Sequence, residues 1–281
     1  MRTLILGGNG FIGSHLTDRL LCEGHKVSIF DRQAELYREP LDNVEYRLAD
    51  FGNRAALSEA LKNINTVFHL ISTTVPKTSN DDPAFDVMSN LVETIFLLEE
   101  CVKNKVKKIV FLSSGGAVYG IPKSVPVLED SPKNPVSSYG IVKLAIEKYL
   151  ELFNNIFGLD YVIIRPSNPY GERQNPNAAQ GVIAVFMAKI FKGQEVTIWG
   201  DGNAVKDYIY VIDLIDGIYK AAFNKTNNRI FNIGSGVGHS INDILNVMSE
   251  EFKRKFDVNY NSIKKSDVSK IYLDITRASN V

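Results

Sequence analysis

Arg2-Thr3-Leu4-Ile5-Leu6-Gly7-Gly8-Asn9-Gly10-Phe11-Ile12-Gly13 opens the chain: a short apolar run, glycines at 7, 10 and 13, and then an amphipathic pattern from Phe11 to Glu23. A strand that turns tightly into a helix is the reading. Glycine permits the turn and lets backbone N–H groups at the helix N-terminus approach a pyrophosphate. The next strand pattern, Lys26 to Phe30, runs straight into Asp31, whose carboxylate can accept hydrogen bonds from an adenosine ribose. Together these predict a bound dinucleotide held by Gly7, Gly10, Phe11, Ile12, Gly13 and Asp31. The charge of Asp31 would repel a 2′-phosphate, which favours NAD over NADP; Arg32 beside it pulls the other way.

Outward from this turn, short strand patterns alternate with longer helical ones. Thr66 to Leu70, Lys108 to Leu112 and Asp160 to Arg165 are strand candidates; Asn53 to Lys62, Phe85 to Asn104 and Ser138 to Phe157 are helical. Such alternation predicts an α/β fold of the Rossmann type, a doubly wound parallel sheet covered on both faces. After Pro166 the character changes to a Pro/Asn-rich loop, a helix reaching Gly193, a strand near Val196 to Trp199 and a turn at Gly200-Asp201-Gly202. This predicts residues 1–167 as the cofactor domain, with 208–234 contributed back to it. Residues 168–207 and 235–281 would form a smaller α/β substrate-binding domain.

The chain has 281 residues, long enough for a large core, and its 32 basic and 32 acidic residues cancel. That balance gives no support for a nucleic-acid surface. Cys22 and Cys101 lie in apolar helical patterns without metal-ligand spacing, so buried thiols in a reducing, cytoplasmic compartment and no structural metal are expected. The four histidines are scattered too, and His69 at a strand end reads as structural. No apolar run approaches the ~18 residues of a membrane span, and the strand at the N-terminus leaves no room for a signal peptide.

Ser137-Ser138-Tyr139-Gly140-Ile141-Val142-Lys143 carries the chemistry. Tyrosine, with an ordinary pKa near ~10, is a poor base at neutral pH; moving it to ~7 requires favouring the phenolate by about 4 kcal/mol. Lys143, one helical turn on, shares a face with Tyr139 and is the expected source of that bias.

The glycine turn, Ser113-Ser114-Gly115-Gly116-Ala117-Val118-Tyr119-Gly120, Tyr139-x-x-x-Lys143 and Arg165-Pro166-Ser167-Asn168-Pro169-Tyr170-Gly171 occur in order over nearly the whole chain. In this the sequence resembles the extended short-chain dehydrogenase/reductases, within them the NAD-dependent nucleotide-sugar epimerase/dehydratase family, nearest its UDP-glucose 4-epimerase-like members. Such proteins usually continue several tens of residues past the position of Leu273-Asp274-Ile275-Thr276, whereas this sequence stops at Val281.

The resemblance implies roles. Asp50 would receive the adenine amine and Phe51 cover the ring. Leu70, Ile71 and Ser72 would pass under the cofactor, with Ser113, Pro166 and Asn90 near it, the alternative for Asn90 being a solvated helical residue. Tyr139 would be the base, Lys143 would also hold the nicotinamide ribose, and Ser114 would orient the sugar O4. Many 4-epimerases carry that hydroxyl where this chain has Gly115, so Ser114 must swing in or the role is reduced. Gly116-Ala117 stands where the family's 4,6-dehydratases carry an acid pair, which disfavours dehydration. For the substrate, the resemblance implies Asn168, Val182 and Ile183 at the diphosphate and Thr197 with Trp199 at the nucleobase. Lys206 and Lys264 take positions usually held by arginine, and Ile271 falls near a gate for the C2 substituent. It also implies a homodimer, paired through the Phe85 to Val102 and Ser138 to Leu152 helices. The implied activity is a UDP-sugar 4-epimerase using NAD. A net nucleotide-sugar reductase and a non-catalytic NAD-binding regulator are the competing readings.

Overall fold

The computed structural model describes residues 1–178, 180–262 and 268–281. In chain order the elements are β1 (Arg2–Leu6), α1 (Phe11–Cys22), β2 (Lys26–Asp31), β3 (Val44–Leu48), α2 (Arg54–Ala60), β4 (Thr66–His69) and α3 (Pro83–Asp86), then a π-helical turn (Val87–Val92) leading into α4 (Glu93–Lys103). They continue with β5 (Lys108–Leu112), α5 (Ser138–Phe157), β6 (Asp160–Pro166), β7 (Asn168–Tyr170), α6 (Val182–Phe191), β8 (Val196–Trp199) and β9 (Val205–Tyr210). The last are α7 (Val211–Phe223), β10 (Ile230–Ile233), β11 (Gly238–Ser240), α8 (Ile241–Phe252), β12 (Val258–Asn261) and α9 (Thr276–Ser279).

Seven strands form one parallel sheet in the order β10-β6-β5-β4-β1-β2-β3. The alternation within β1 shows why both faces are covered. Leu4 and Leu6 join a core with Val67, Ile109, Phe111 and Ile163, while Ile5 points the other way, into a core with Leu16, Leu20, Phe68 and Leu214. Fully burying such a side chain stabilises by roughly 1.5–3 kcal/mol. The strand order reverses between β1 and β4, and the crevice at their carboxyl ends is where ligands bind in sheets of this kind.

A second region lies beyond this sheet. β11, β9 and β7 form a small sheet, β12 pairs with β8, and α6 and α8 enclose a satellite core of Phe186, Ile190, Val196, Ile198, Leu245 and Met248. Among the described residues no helix is long and apolar enough to cross a membrane.

Three local expectations need correction. The strand β3, Val-Glu-Tyr-Arg-Leu, was not foreseen, because as an edge strand it buries only Val44 and carries charged residues between its apolar ones. The helix expected over Phe85 to Asn104 is interrupted by the π-helical turn. Cys22, in the last turn of α1, is exposed, and only Cys101 is a buried thiol.

Candidate active site

The glycine turn leaves β1 with Gly7 at φ +85°. A Cβ on Gly13 would stand 2.1 Å from the Gly7 carbonyl oxygen and 2.7 Å from the Gly8 Cα, so only glycine lets α1 start this close to the strand. The N-cap of α1 is Gly10, which offers no side-chain hydrogen bond, so no cap competes for the first-turn N–H groups. Phe11 and Ile12 form that first turn. Asp31 closes the far side of the turn, accepting from the Asn9 N–H at 3.0 Å and the Gln33 N–H at 3.1 Å. An ionised carboxylate offers about four acceptor sites, so capacity remains for ribose hydroxyls. Beside it the Asn9 amide gives its Nδ2 to the Gln33 carbonyl and leaves a buried Oδ1 without a partner. Uncapped helical N–H groups, an unsaturated carboxylate and an orphaned amide oxygen suit the pyrophosphate and ribose of a dinucleotide. Arg32 is exposed next to them. Ile71 lies against the turn, its Cγ1 3.3 Å from where a Gly7 Cβ would be, with Leu70 beside it; Ser72, exposed, donates to the Thr74 carbonyl.

The two expected adenine groups differ in exposure. Asp50 is exposed and accepts from the Gly52 N–H, whereas Phe51 is 4 % exposed, packed into the main core with its ring 5.3 Å from that of His69. Its aromatic face is spent on the core. His69 itself is buried against the Thr94 hydroxyl, and burial followed by the Lys143 charge holds its pKa down at about 3.

Ser137, the N-cap of α5, accepts from the Gly140 N–H, and the helix it starts carries Tyr139 and Lys143 one turn apart. Lys143 is 4 % exposed; its Nζ donates to the Leu112 carbonyl at 2.9 Å and lies 5.6 Å from the centre of the Tyr139 ring. Ser114, two residues past the end of β5, is near enough to the Tyr139 phenol to favour its ionised form. The neighbouring Gly115 has no room for a side chain. A Cβ there would meet the Leu273 Cδ1 at 2.7 Å and the Pro166 carbonyl at 3.0 Å, while the Gly115 N–H donates to that same carbonyl. The Ser113 hydroxyl donates to Glu147 at 2.6 Å.

Burial pushes the Tyr139 phenol up to about 12, with Ser114 working against the shift and Asp86 adding to it. Lys143, its ammonium turned to a carbonyl, is not among the causes. Burial brings Lys143 down to about 8, against the charges of Asp86 and Glu147.

Two buried polar clusters support this pair, and neither was singled out from the sequence. Behind β5, Arg165 forks onto Glu147 at 3.0 and 2.6 Å and also donates to the Tyr119 hydroxyl and the Glu129 carbonyl. In front, the loop after β4 meets the start of α5. Ser79 accepts from the Tyr139 N–H, Asn80 from the Ser138 N–H, and the fully buried Asp86 from Thr74, Asn90 and Ser138. Asn90 is neither solvated nor turned outward, because its Oδ1 accepts from the Thr73 N–H. The clue was the spacing Asp86-x-x-x-Asn90, two polar residues on one face of an apolar helical pattern.

On the second region, Asn168 begins β7 and gives its Nδ2 to the Asp207 carbonyl. Val182 and Ile183 open α6, whose N-cap Gly181 makes no side-chain cap bond. Thr197 accepts from Lys189, and Trp199 is 67 % exposed at the end of β8. Lys206 donates to the Val268 carbonyl at 2.6 Å. Ile271 is buried among Val118, Tyr119, Val127 and Leu273 and so does not present itself as a gate. Lys264 lies outside the described residues.

Comparison with known proteins agrees with this geometry. A putative UDP-glucose 4-epimerase of Methanocaldococcus jannaschii is 37% identical over 281 residues, covering 99% of this chain and 91% of the relative. A UDP-glucose 4-epimerase of Thermotoga maritima solved with UDP-glucose superposes with a TM-score of 0.94 at 36% identity, covering 100% of this chain and 92% of that one. One from Thermus thermophilus in complex with NAD gives 0.93 at 32% identity, with the same coverages of 100% and 92%. The family model described as the NAD dependent epimerase/dehydratase family matches residues 3–234, and with the glycine turn, Asp31 and the Tyr139–Lys143 helix all inside that span, this chain belongs to that family.

Proposed function

We propose that this protein is an NAD-dependent UDP-sugar 4-epimerase. The observation that carries the reading is Tyr139 one helical turn from a buried Lys143 whose Nζ lies 5.6 Å from its ring, beside the crevice where the strand order reverses. Relatives solved with NAD and with UDP-glucose support it. The glycine turn, Asp31, Leu70 to Ser72 and Lys143 would hold the cofactor.

When bound, NAD supplies a cationic ring that accepts a hydride and returns it within each cycle. The chain's own groups move the proton. Tyr139 takes the O4 proton of the sugar as its C4 is oxidised, holds it at Oη, and gives it back once the other configuration is set. Ser114, beside the same phenol, orients O4 and stabilises the phenolate. Lys143 contributes the charge near the phenol and, with its ammonium turned from the Leu112 carbonyl, would hold the cofactor ribose. Gly116 and Ala117 provide no acid to expel water, so the proton relay ends at O4.

The second region, 168–207 with 235–281, is the substrate side in this reading. The first N–H groups of α6 at Val182 and Ile183, with Asn168, Lys206 and Lys264, serve the diphosphate, and Trp199 with Thr197 lies beside the nucleobase. Lysine gives a point charge where arginine would give a fork. Two copies pair through the exposed Phe85, Met88, Ile141, Leu152 and Ile156. The test is proton NMR of the purified protein with NAD, started separately from UDP-glucose, UDP-galactose and their N-acetyl counterparts. Convergence of one pair on a common mixture without net NADH is expected; stoichiometric NADH with no interconversion would overturn the reading in favour of a dehydrogenase.

A further inference from the structure

The carboxylate of Asp86 is fully buried at the end of α3, where the helix passes into the π-helical turn. Thr74 donates to one oxygen at 2.6 Å and Asn90 to the same oxygen at 2.9 Å; Ser138 donates to the other at 2.6 Å. All three donors are neutral, so among the described residues this charge has no ion-pair partner. Burying a carboxylate with neutral donors alone is costly unless another charge offsets it. The three donors come from the segments that frame Tyr139: the loop after β4, the π-helical turn, and the residue that precedes Tyr139 on α5.

We propose that Asp86 is a positioning residue for the reaction: its carboxylate fixes the start of α5 under Tyr139 and is the distant counter-charge for the Lys143 ammonium. The proposal rests on the assignment of Tyr139 as base and Lys143 as cofactor ligand. The titratable groups that face this pair are Asp86 from α3, Glu147 one turn further along α5, and His69 from β4, which stays neutral. Asp86 raises both Tyr139 and Lys143 toward their protonated forms. It therefore works against the burial that discharges Lys143 and adds to the burial that keeps the Tyr139 phenol protonated.

The signs can be tested. Activity needs Tyr139 deprotonated, which gives the acid limb of the pH profile, and Lys143 protonated, which gives the alkaline limb. Asp86→Asn keeps the volume and can still accept from Thr74 and Asn90, but removes the charge. On the NAD-loaded enzyme both limbs should move to lower pH together. Ser138→Ala removes one hydrogen bond and keeps the charge; kcat should fall by on the order of tenfold with the limbs in place. A second readout needs no substrate: the ultraviolet tyrosinate titration of the protein minus that of its Tyr139→Phe counterpart, made with and without Asp86→Asn. It should show Tyr139 ionising at lower pH in the variant. Limbs and titration unmoved by Asp86→Asn, or limbs moved by Ser138→Ala, would overturn the proposal. A wild-type protein that interconverts no sugar would defeat the epimerase reading, while the titration would still decide the role of Asp86.

Discussion

Replacing Glu147 by leucine strands Arg165. The guanidinium, 1% exposed in its side chain, would lose both charged hydrogen bonds, at 3.0 and 2.6 Å, and keep only those to the Tyr119 hydroxyl and the Glu129 carbonyl. Breaking a buried pair from one side costs about 3–5 kcal/mol, because the remaining charge has neither water nor a counter-ion. That is a large share of the ~5–15 kcal/mol that holds a typical domain folded. Arg165→Met should cost a similar amount, since Glu147 would keep only the Ser113 hydroxyl. Both together leave an apolar cluster of similar volume and no stranded charge, so the double variant should be more stable than the sum of the singles implies by at least ~2 kcal/mol. Urea unfolding of the four proteins measures this. Circular dichroism follows the main sheet and the fluorescence of Trp199, the only tryptophan, follows the second region, so coincident midpoints establish that one transition is being read. Singles that cost under ~1 kcal/mol, or a cycle additive within ~0.5 kcal/mol, would refute the reasoning.

Other outcomes follow from the site. Tyr139→Phe should lower kcat by ~10²–10⁴ while NAD stays bound, and full activity would show that another group is the base. Gly13→Ala puts a methyl 2.1 Å from the Gly7 carbonyl oxygen; it should abolish NAD binding and destabilise by ~1–3 kcal/mol, as calorimetry with NAD and thermal melting would report. His69, with an ordinary pKa of 6.5 held at about 3, binds fewer protons folded than unfolded, so its contribution is complete above pH 6.5 and is lost as the pH falls toward 3. The loss reaches at most about 5 kcal/mol, and His69→Asn should flatten stability against pH in that window; an unchanged slope would place the acid sensitivity elsewhere. Gly115→Ala should dislodge Ser114 from the phenol, because its methyl meets Leu273 at 2.7 Å and the Pro166 carbonyl at 3.0 Å, and kcat should drop more than KM rises.

The sheet and the glycine turn were legible because each rests on local pattern: period-two burial in β1, helical period in α1, and glycines where a Cβ would collide. β3 was missed since an edge strand buries one face only in part, and Val-Glu-Tyr-Arg-Leu reads as a polar loop. At the site, the pair on α5 was readable from spacing along one helix. What Ser114 does depended on the packing of Gly115 against Leu273, residues far apart in sequence. The cluster around Arg165 was hidden for the same reason, since its partners come from different elements, and around Asp86 only the Asn90 partner lay within one helical window. The surroundings of Phe51 and Ser113 were equally beyond the sequence, since the core that holds the first and the Glu147 that takes the hydroxyl of the second come from other elements.

The place of β10 at the end of the main sheet has a consequence for synthesis. β6 is complete at Pro166, but the strand that covers its outer edge ends only at Ile233, after roughly 60 intervening residues have been made. At about 5–20 residues per second, a ribosome leaves that apolar edge open for several seconds. During this interval a row of unpaired backbone groups beside Ile163 and Ile164 offers itself to any extended chain nearby, including a neighbouring nascent copy. Slower translation of 168–229 should therefore raise the yield of aggregated product, and synonymous recoding of that stretch, without any change of amino acid, should be enough to show it.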